Sequence, residues 1–173
     1  MIQAEVLRML LGREADAVVV LTDKRTGAQQ FIPGKNIVTN EGDKWYAQSA
    51  CGETPTYDFA NLYLATAGPD PTTKADDYDD FTGVTGEKAP TAGYPKTNDD
   101  DGDNTGSGVD IVSWKYEYTT GDGPFTDITH SFISVATAGA GSPILNSYKW
   151  AAAWSKDSST SAKIFANHEM LGS

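Results

Sequence analysis

Cysteine is almost missing. Cys51 is the single one in 173 residues, which excludes an intrachain disulfide and any zinc site built on several thiolates. Histidine occurs only twice, at His130 and His168, so few side chains can exchange a proton near neutrality at their ordinary pKa. Positive charge is scarce too: 13 Lys and Arg stand against 24 Asp and Glu, a formal net charge of −11. Phosphate binding needs the opposite balance, so nucleic acid is not an expected partner. The longest aliphatic run, Ala17-Val18-Val19-Val20-Leu21, falls far short of the ~20 residues that cross a bilayer, so no membrane association is expected. No Lys/Arg-led apolar stretch with a small-residue cleavage site opens the chain, and no Asn-x-Ser/Thr sequon occurs. The expectation is a soluble protein without a signal peptide, made in a reducing cytoplasm.

At 39% apolar and 10% aromatic, the chain has enough side chains for one real core. Residues 1–35 are expected to form an N-terminal segment of helix and hairpin. Ile2, Val6, Met9 and Leu10 share one helical face, Ala17–Thr22 is expected as a buried strand, and 28–32 as its return. Residues 36–173 are expected to form the main body. Thr39 or Asn40 is placed to cap a helix running to about Ala50 with Trp45 turned inward. Phe59–Thr66 follows as a strand with Leu62 and Leu64 on one face.

Residues 68–108 have a different composition: 10 Asp/Glu, 7 Gly and 4 Pro in 41 positions, with Val84 the only Val, Ile, Leu or Met. Such a segment cannot offset its own ordering entropy. An extended surface arm is expected, with Tyr78, Phe81 and Tyr94 as anchors on a partner and not as part of the protein's own core.

Strand patterning returns after the arm. Ile111–Thr119 alternates, with Val112, Trp114, Tyr116 and Tyr118 on one face. Further strands are expected at Ile128–Thr137, Ile144–Trp154 and Ala162–Met170, separated by Gly, Pro and Asp turns. The predicted fold is mainly β: an antiparallel, jelly-roll-like β-sandwich with one or two short helices and the long irregular acidic arm.

Catalytic constellations are not legible. His130 lies in mid-strand, where a hydrogen-bonded structural histidine is the commoner reading, and His168 sits near the chain end. No nucleophile elbow, phosphate loop or His-Glu-x-x-His occurs. Cys51 has no basic neighbour in sequence to stabilise a thiolate. The expectation is therefore a protein that is not an enzyme. Asp99, Asp101, Asp103 and Asp110 have the alternating spacing of a calcium loop. Asn104 replaces the glycine expected at the sixth position, and a strand follows where a helix should. Weak Ca²⁺ binding and an ordinary solvated turn both remain open, and no other cofactor is expected.

Two stretches carry a resemblance. Lys35-Asn36-Ile37-Val38-Thr39-Asn40-Glu41-Gly42 with the later Leu62–Gly68, and Tyr94-Pro95-Lys96-Thr97-Asn98 through Asp103-Asn104-Thr105-Gly106 to Trp114, resemble segments of tailed-bacteriophage virion structural proteins. The resemblance spans roughly residues 35–120. It implies a β-rich capsid decoration protein or a tail component such as a tail-tip or fibre-base protein. Its partners would be the major capsid protein or other virion subunits, and it would be a homo-oligomer located in the virion and made in the host cytoplasm. A carbohydrate-binding β-sandwich with Trp114, Tyr116, Trp150 or Trp154 stacking on sugars, and a hydrolase using paired carboxylates, are the remaining readings.

Overall fold

A computed structural model describes residues 17–98 and 111–169. Nine strands form one sheet: β1 (Ala17–Asp23), β2 (Gln29–Val38), β3 (Phe59–Ala65), β4 (Thr85–Lys88), β5 (Lys96–Asn98), β6 (Ile111–Tyr118), β7 (Phe125–Val135), β8 (Ile144–Lys156) and β9 (Thr160–Glu169). The spatial order is β4-β3-β7-β8-β2-β1-β9-β6-β5, and every pairing is antiparallel. One helix of the described chain, α1 (Asn40–Ala50), follows β2. The fold is thus mainly β, antiparallel and sandwich-like. Its two layers belong to a single sheet that curls round the core until it nearly closes.

Alternation decides which face turns inward. On β6, Trp114, Tyr116 and Tyr118 are all at most 1% exposed and join Val19, Ile32, Leu62, Leu64, Tyr148, Trp150 and Ile164 in one interior cluster. Two phenols tie opposite walls together: Tyr116 Oη donates to Ala60 O over 2.8 Å, and Tyr118 Oη to Gly86 O over 2.6 Å. These are the buried polar tips that large aromatics must satisfy. The seam is closed by the chain itself. Thr91 N on the β4–β5 connection donates to Lys115 O of β6 over 2.8 Å, and Lys88 of β4 pairs with Asp122 of the β6–β7 turn at 2.9 Å.

The β1–β2 hairpin lies at the middle of the sheet, between β9 and β8. β2 runs on past Pro33 to Val38, so this hairpin and the later strands share one core. α1 begins where expected, with Thr39 Oγ1 accepting from Gly42 N. Trp45 is only half-buried, however, while its neighbour Tyr46 is 8% exposed and enters the interior. Tyr46 lies beside Trp114 at the start of β6 and His168 at the end of β9; Trp45 packs on Phe59 at the start of β3. α1 therefore caps one end of the curled sheet.

Candidate functional site

The expected free arm is instead a strap on its own protein. From Gly68 to Asn98 the chain crosses the outer face of the sheet, contributes β4 and β5, and bridges to β6. Phe81 is 5% exposed and forms a second buried cluster with Tyr63, Ala65, Phe132 and Ile144; Tyr78 and Val84 pack against it. Phe81 lies 4.6 Å from Phe132 between ring centroids, and Tyr78 lies edge-on to Phe132 at 5.6 Å. Gly68 makes room for this packing, since a Cβ there would stand 2.6 Å from the Phe81 ring. Tyr94 rests on β6, with Lys115 Nζ 5.9 Å from its ring centroid and Lys96 Nζ at 5.4 Å. Tyr78 and Phe81 are thus spent on the chain's own sheet and are not free anchors for a partner. The physical reason is that counting aliphatic residues overlooked the area an aromatic ring buries.

Polar groups complete the strap. Asp76 is 7% exposed and accepts from Thr73 N (2.9 Å), Thr73 Oγ1 (2.6 Å) and Ser147 Oγ of β8 (3.1 Å). Nothing in the sequence distinguished Asp76 from its acidic neighbours. Asp77 and Asp80 form a reciprocal capping box on the single 3-10 turn Tyr78–Asp80. Asp70 pairs with Lys149 of β8, and that ammonium holds the Asp70 carboxyl below its ordinary range.

His130 is one of the brackets. Its Nε2 faces Pro69 O at 3.1 Å, which places the ring proton there, and its Nδ1 meets Thr129 Oγ1 at 2.8 Å. Burial lowers its pKa, outweighing the Pro69 carbonyl that favours the charged form. Nε2 thus holds the strap on β7, while the contact of Nδ1 with Thr129, on the same strand, orients the ring.

His168 occupies the interior and was the larger surprise. It is 1% exposed. Tyr46 Oη of α1 meets its Nδ1, while Asn146 Nδ2 and Tyr148 Oη of β8 meet its Nε2, the latter at 2.8 Å. Trp114 Nε1 donates to Tyr46 Oη over 3.5 Å. Burial alone pushes the imidazole down to about 3, because no opposite charge repays the desolvation. The alternation of β9, with Ala162, Ile164, Ala166 and His168 on the inner face, was the available signal for its placement.

A cleft of about 350 Å³ lies between the start of α1, the strap and the β7–β8 turn, lined by Thr39, Asn40, Tyr57, Lys74, Asp76 and Ile144 among others. Of its polar groups, Lys74 pairs with Asp43 at 2.5 Å and Asp76 is bonded as above, while Glu41 Oε2 has no hydrogen-bond partner. The aromatics considered for sugar stacking, Trp114, Tyr116, Trp150 and Trp154, are 1%, 0%, 3% and 3% exposed. They form the core and present no platform. Cys51 is exposed at the end of α1. The calcium-loop aspartates Asp99, Asp101, Asp103 and Asp110, and the helical face of Ile2, Val6, Met9 and Leu10, lie outside the described residues.

No protein family, no curated protein and no solved structure matches the chain.

Proposed function

We propose that this protein is a non-enzymatic structural component of a bacteriophage virion, and specifically a capsid decoration protein that binds the outer shell and stabilises it. The virion assignment rests on the resemblance of residues 35–120 to phage structural segments. The observation that carries the structural role is that the chemically capable buried groups serve as fasteners. His130 holds the strap, His168 holds α1, and Asp76 ties the strap to β8. A filled, cross-braced shell of this kind favours mechanical duty over turnover, which needs a preorganised nucleophile–base pair.

The contact surface follows from charge. With a net charge of −11 and Asp77, Asp79 and Asp80 exposed along the strap, the partner face would be basic and binding would weaken with salt. Immunogold labelling of intact particles tests the reading. Gold distributed over the capsid faces supports decoration, and gold confined to the tail moves the protein to the tail. Particles that contain no copies overturn the virion assignment. Loss of heat resistance in particles made without the protein is the expected functional consequence.

A further inference from the structure

Eleven residues make up α1, and only Gly42 and Tyr46 among them are buried. Hydrogen bonds and close backbone packing therefore fix the helix at two points, with the half-buried Trp45 packed beside them on Phe59 and Trp114. The first is its N-terminal end. Thr39 N donates to Leu145 O over 3.0 Å, the Thr39 hydroxyl donates to Ile144 O, and Gly42 lies so close to β8 that a Cβ would stand 2.0 Å from Leu145 O. The second point is one turn further on, where the Tyr46 hydroxyl meets His168 Nδ1.

These two points differ in chemistry. The bonds of the first are made by a hydroxyl, backbone amides and carbonyls, and the carboxylates nearest to it, Glu41 and Asp43, face Lys44 and Lys74 and make none of them. At the second, either neutral tautomer of His168 leaves one ring nitrogen to accept a hydrogen bond. A second proton turns both nitrogens into donors and places a full charge among Tyr46 from α1, Trp114 from β6, and Asn146 and Tyr148 from β8. None of those four groups carries a charge to balance it. A buried unpaired cation is expensive, and the cheapest relief is to admit water. On one side the ring is enclosed by the sheet, where the ladder of β9 with β6 sets His168 opposite Val112. On the other it is covered by a helix whose outer surface is polar.

We propose that His168 is an acid-sensitive latch: its protonation frees Tyr46, and α1 swings off the end of the sheet about the Thr39–Gly42 attachment while the strands stay paired. The sheet is held by aromatic packing and ladders, and its bonded carboxylates Glu87, Glu117 and Asp122 stay ionised below the ordinary carboxylate range, so the end cap is the part that yields first. The device stands independently of the virion reading, since it uses only residues of the capped end.

The test uses the full chain with an environment-sensitive fluorophore on Cys51, its only cysteine and exposed just past α1. Acidification from pH 7 to pH 3 is followed by the probe, by far-ultraviolet circular dichroism and by the imidazole resonances of the two histidines, assigned with His130→Gln. The expected result is a probe step below pH 6.5 that coincides with His168 protonation and precedes any loss of strand signal. His168→Gln should remove the step. The proposal is overturned if the probe and the strand signal change together, if His168 titrates without a probe step, or if His168→Gln leaves the step in place. Should the Gln variant fail to fold, the coincidence of the signals in the unsubstituted chain still decides.

Discussion

The interior of the curled sheet and the outer cluster beneath the strap bury aromatic rings by different means. Inside, Trp114, Tyr116, Tyr148 and Trp150 are enclosed by strands whose alternation supplies cover from every side. Outside, Tyr63 and Phe132 are covered by a segment with a single aliphatic Val, Ile, Leu or Met, which holds its place through Phe81, Tyr78 and the bonded carboxylate of Asp76. The lesson is that ordering a polar segment does not require an aliphatic stripe. One fully buried ring contributes roughly 2–3 kcal/mol, and a few such pins with satisfied backbone groups fix some thirty residues that also close the sheet.

If that comparison is right, the interior should be the costlier place to damage. Trp114→Ala removes a ring that is 1% exposed and stacked parallel to Tyr116. It also takes the donor from Tyr46 Oη. We expect a loss of about 4 kcal/mol in urea unfolding, in the middle of the range for aromatic-to-alanine changes in cores. A loss below about 1 kcal/mol would mean that the interior is loosely packed and the contrast is mistaken.

Acid sharpens the same contrast through the two histidines. The folded pKa of His168 is about 3, whereas an unfolded histidine titrates near 6.5. The unfolded chain therefore binds the extra proton first, and stability is complete above pH 6.5 and falls as the pH drops toward 3. The full loss is on the order of 5 kcal/mol. The carboxylates of Glu87, Glu117 and Asp122, whose pKa values are lowered by Thr137 N, Lys115 and Lys88 respectively, act in the same direction at the acid end of the range. His168→Gln should flatten the slope between pH 6.5 and 4.5 in urea titrations. His130→Gln, at the strap, should change that slope less.

Phe81→Ala tests the outer cluster alone. The expected cost is about 3 kcal/mol, with faster amide exchange at residues 73–84 and little change at β1, β2 and β9. Equal acceleration in both regions would show that strap and interior unfold as one unit.

How much of this was legible depends on what carries each element. β6 was readable because strict alternation forces one face inward, and Trp114, Tyr116 and Tyr118 follow it. Thr39 was readable as a cap because its chemistry is local. The strap was not readable: its order comes from contacts across the sheet, such as Phe81 on Phe132 and Asp76 on Ser147, 71 positions apart in sequence. β4 and β5, with four and three residues, are too short to show a period. The bracket at His168 also escaped the sequence, because Tyr46 and Asn146 reach it from α1 and β8, separated from it by 122 and 22 positions.

The smallest expected difference lies between two helix caps, one in each region. Thr39 is 2% exposed; its Oγ1 accepts from Gly42 N over 3.1 Å and its hydroxyl donates to Ile144 O. Thr39→Ala removes both bonds in a place water cannot reach, leaving an amide and a carbonyl to be satisfied elsewhere, so a loss of about 1–2 kcal/mol is expected. Asp77 caps the strap's 3-10 turn by accepting from Asp79 N over 2.8 Å, but it is exposed. Water replaces that bond at once, and Asp77→Ala should cost no more than about 0.5 kcal/mol. Thr39→Ser keeps the hydroxyl and should recover most of the first loss, which separates the hydrogen bonds from the packing of the methyl group. Urea midpoints for the three variants suffice. If Asp77→Ala proves as costly as Thr39→Ala, the turn at the strap is held by its cap and not by Phe81, and the account of the outer cluster as a few aromatic pins fails.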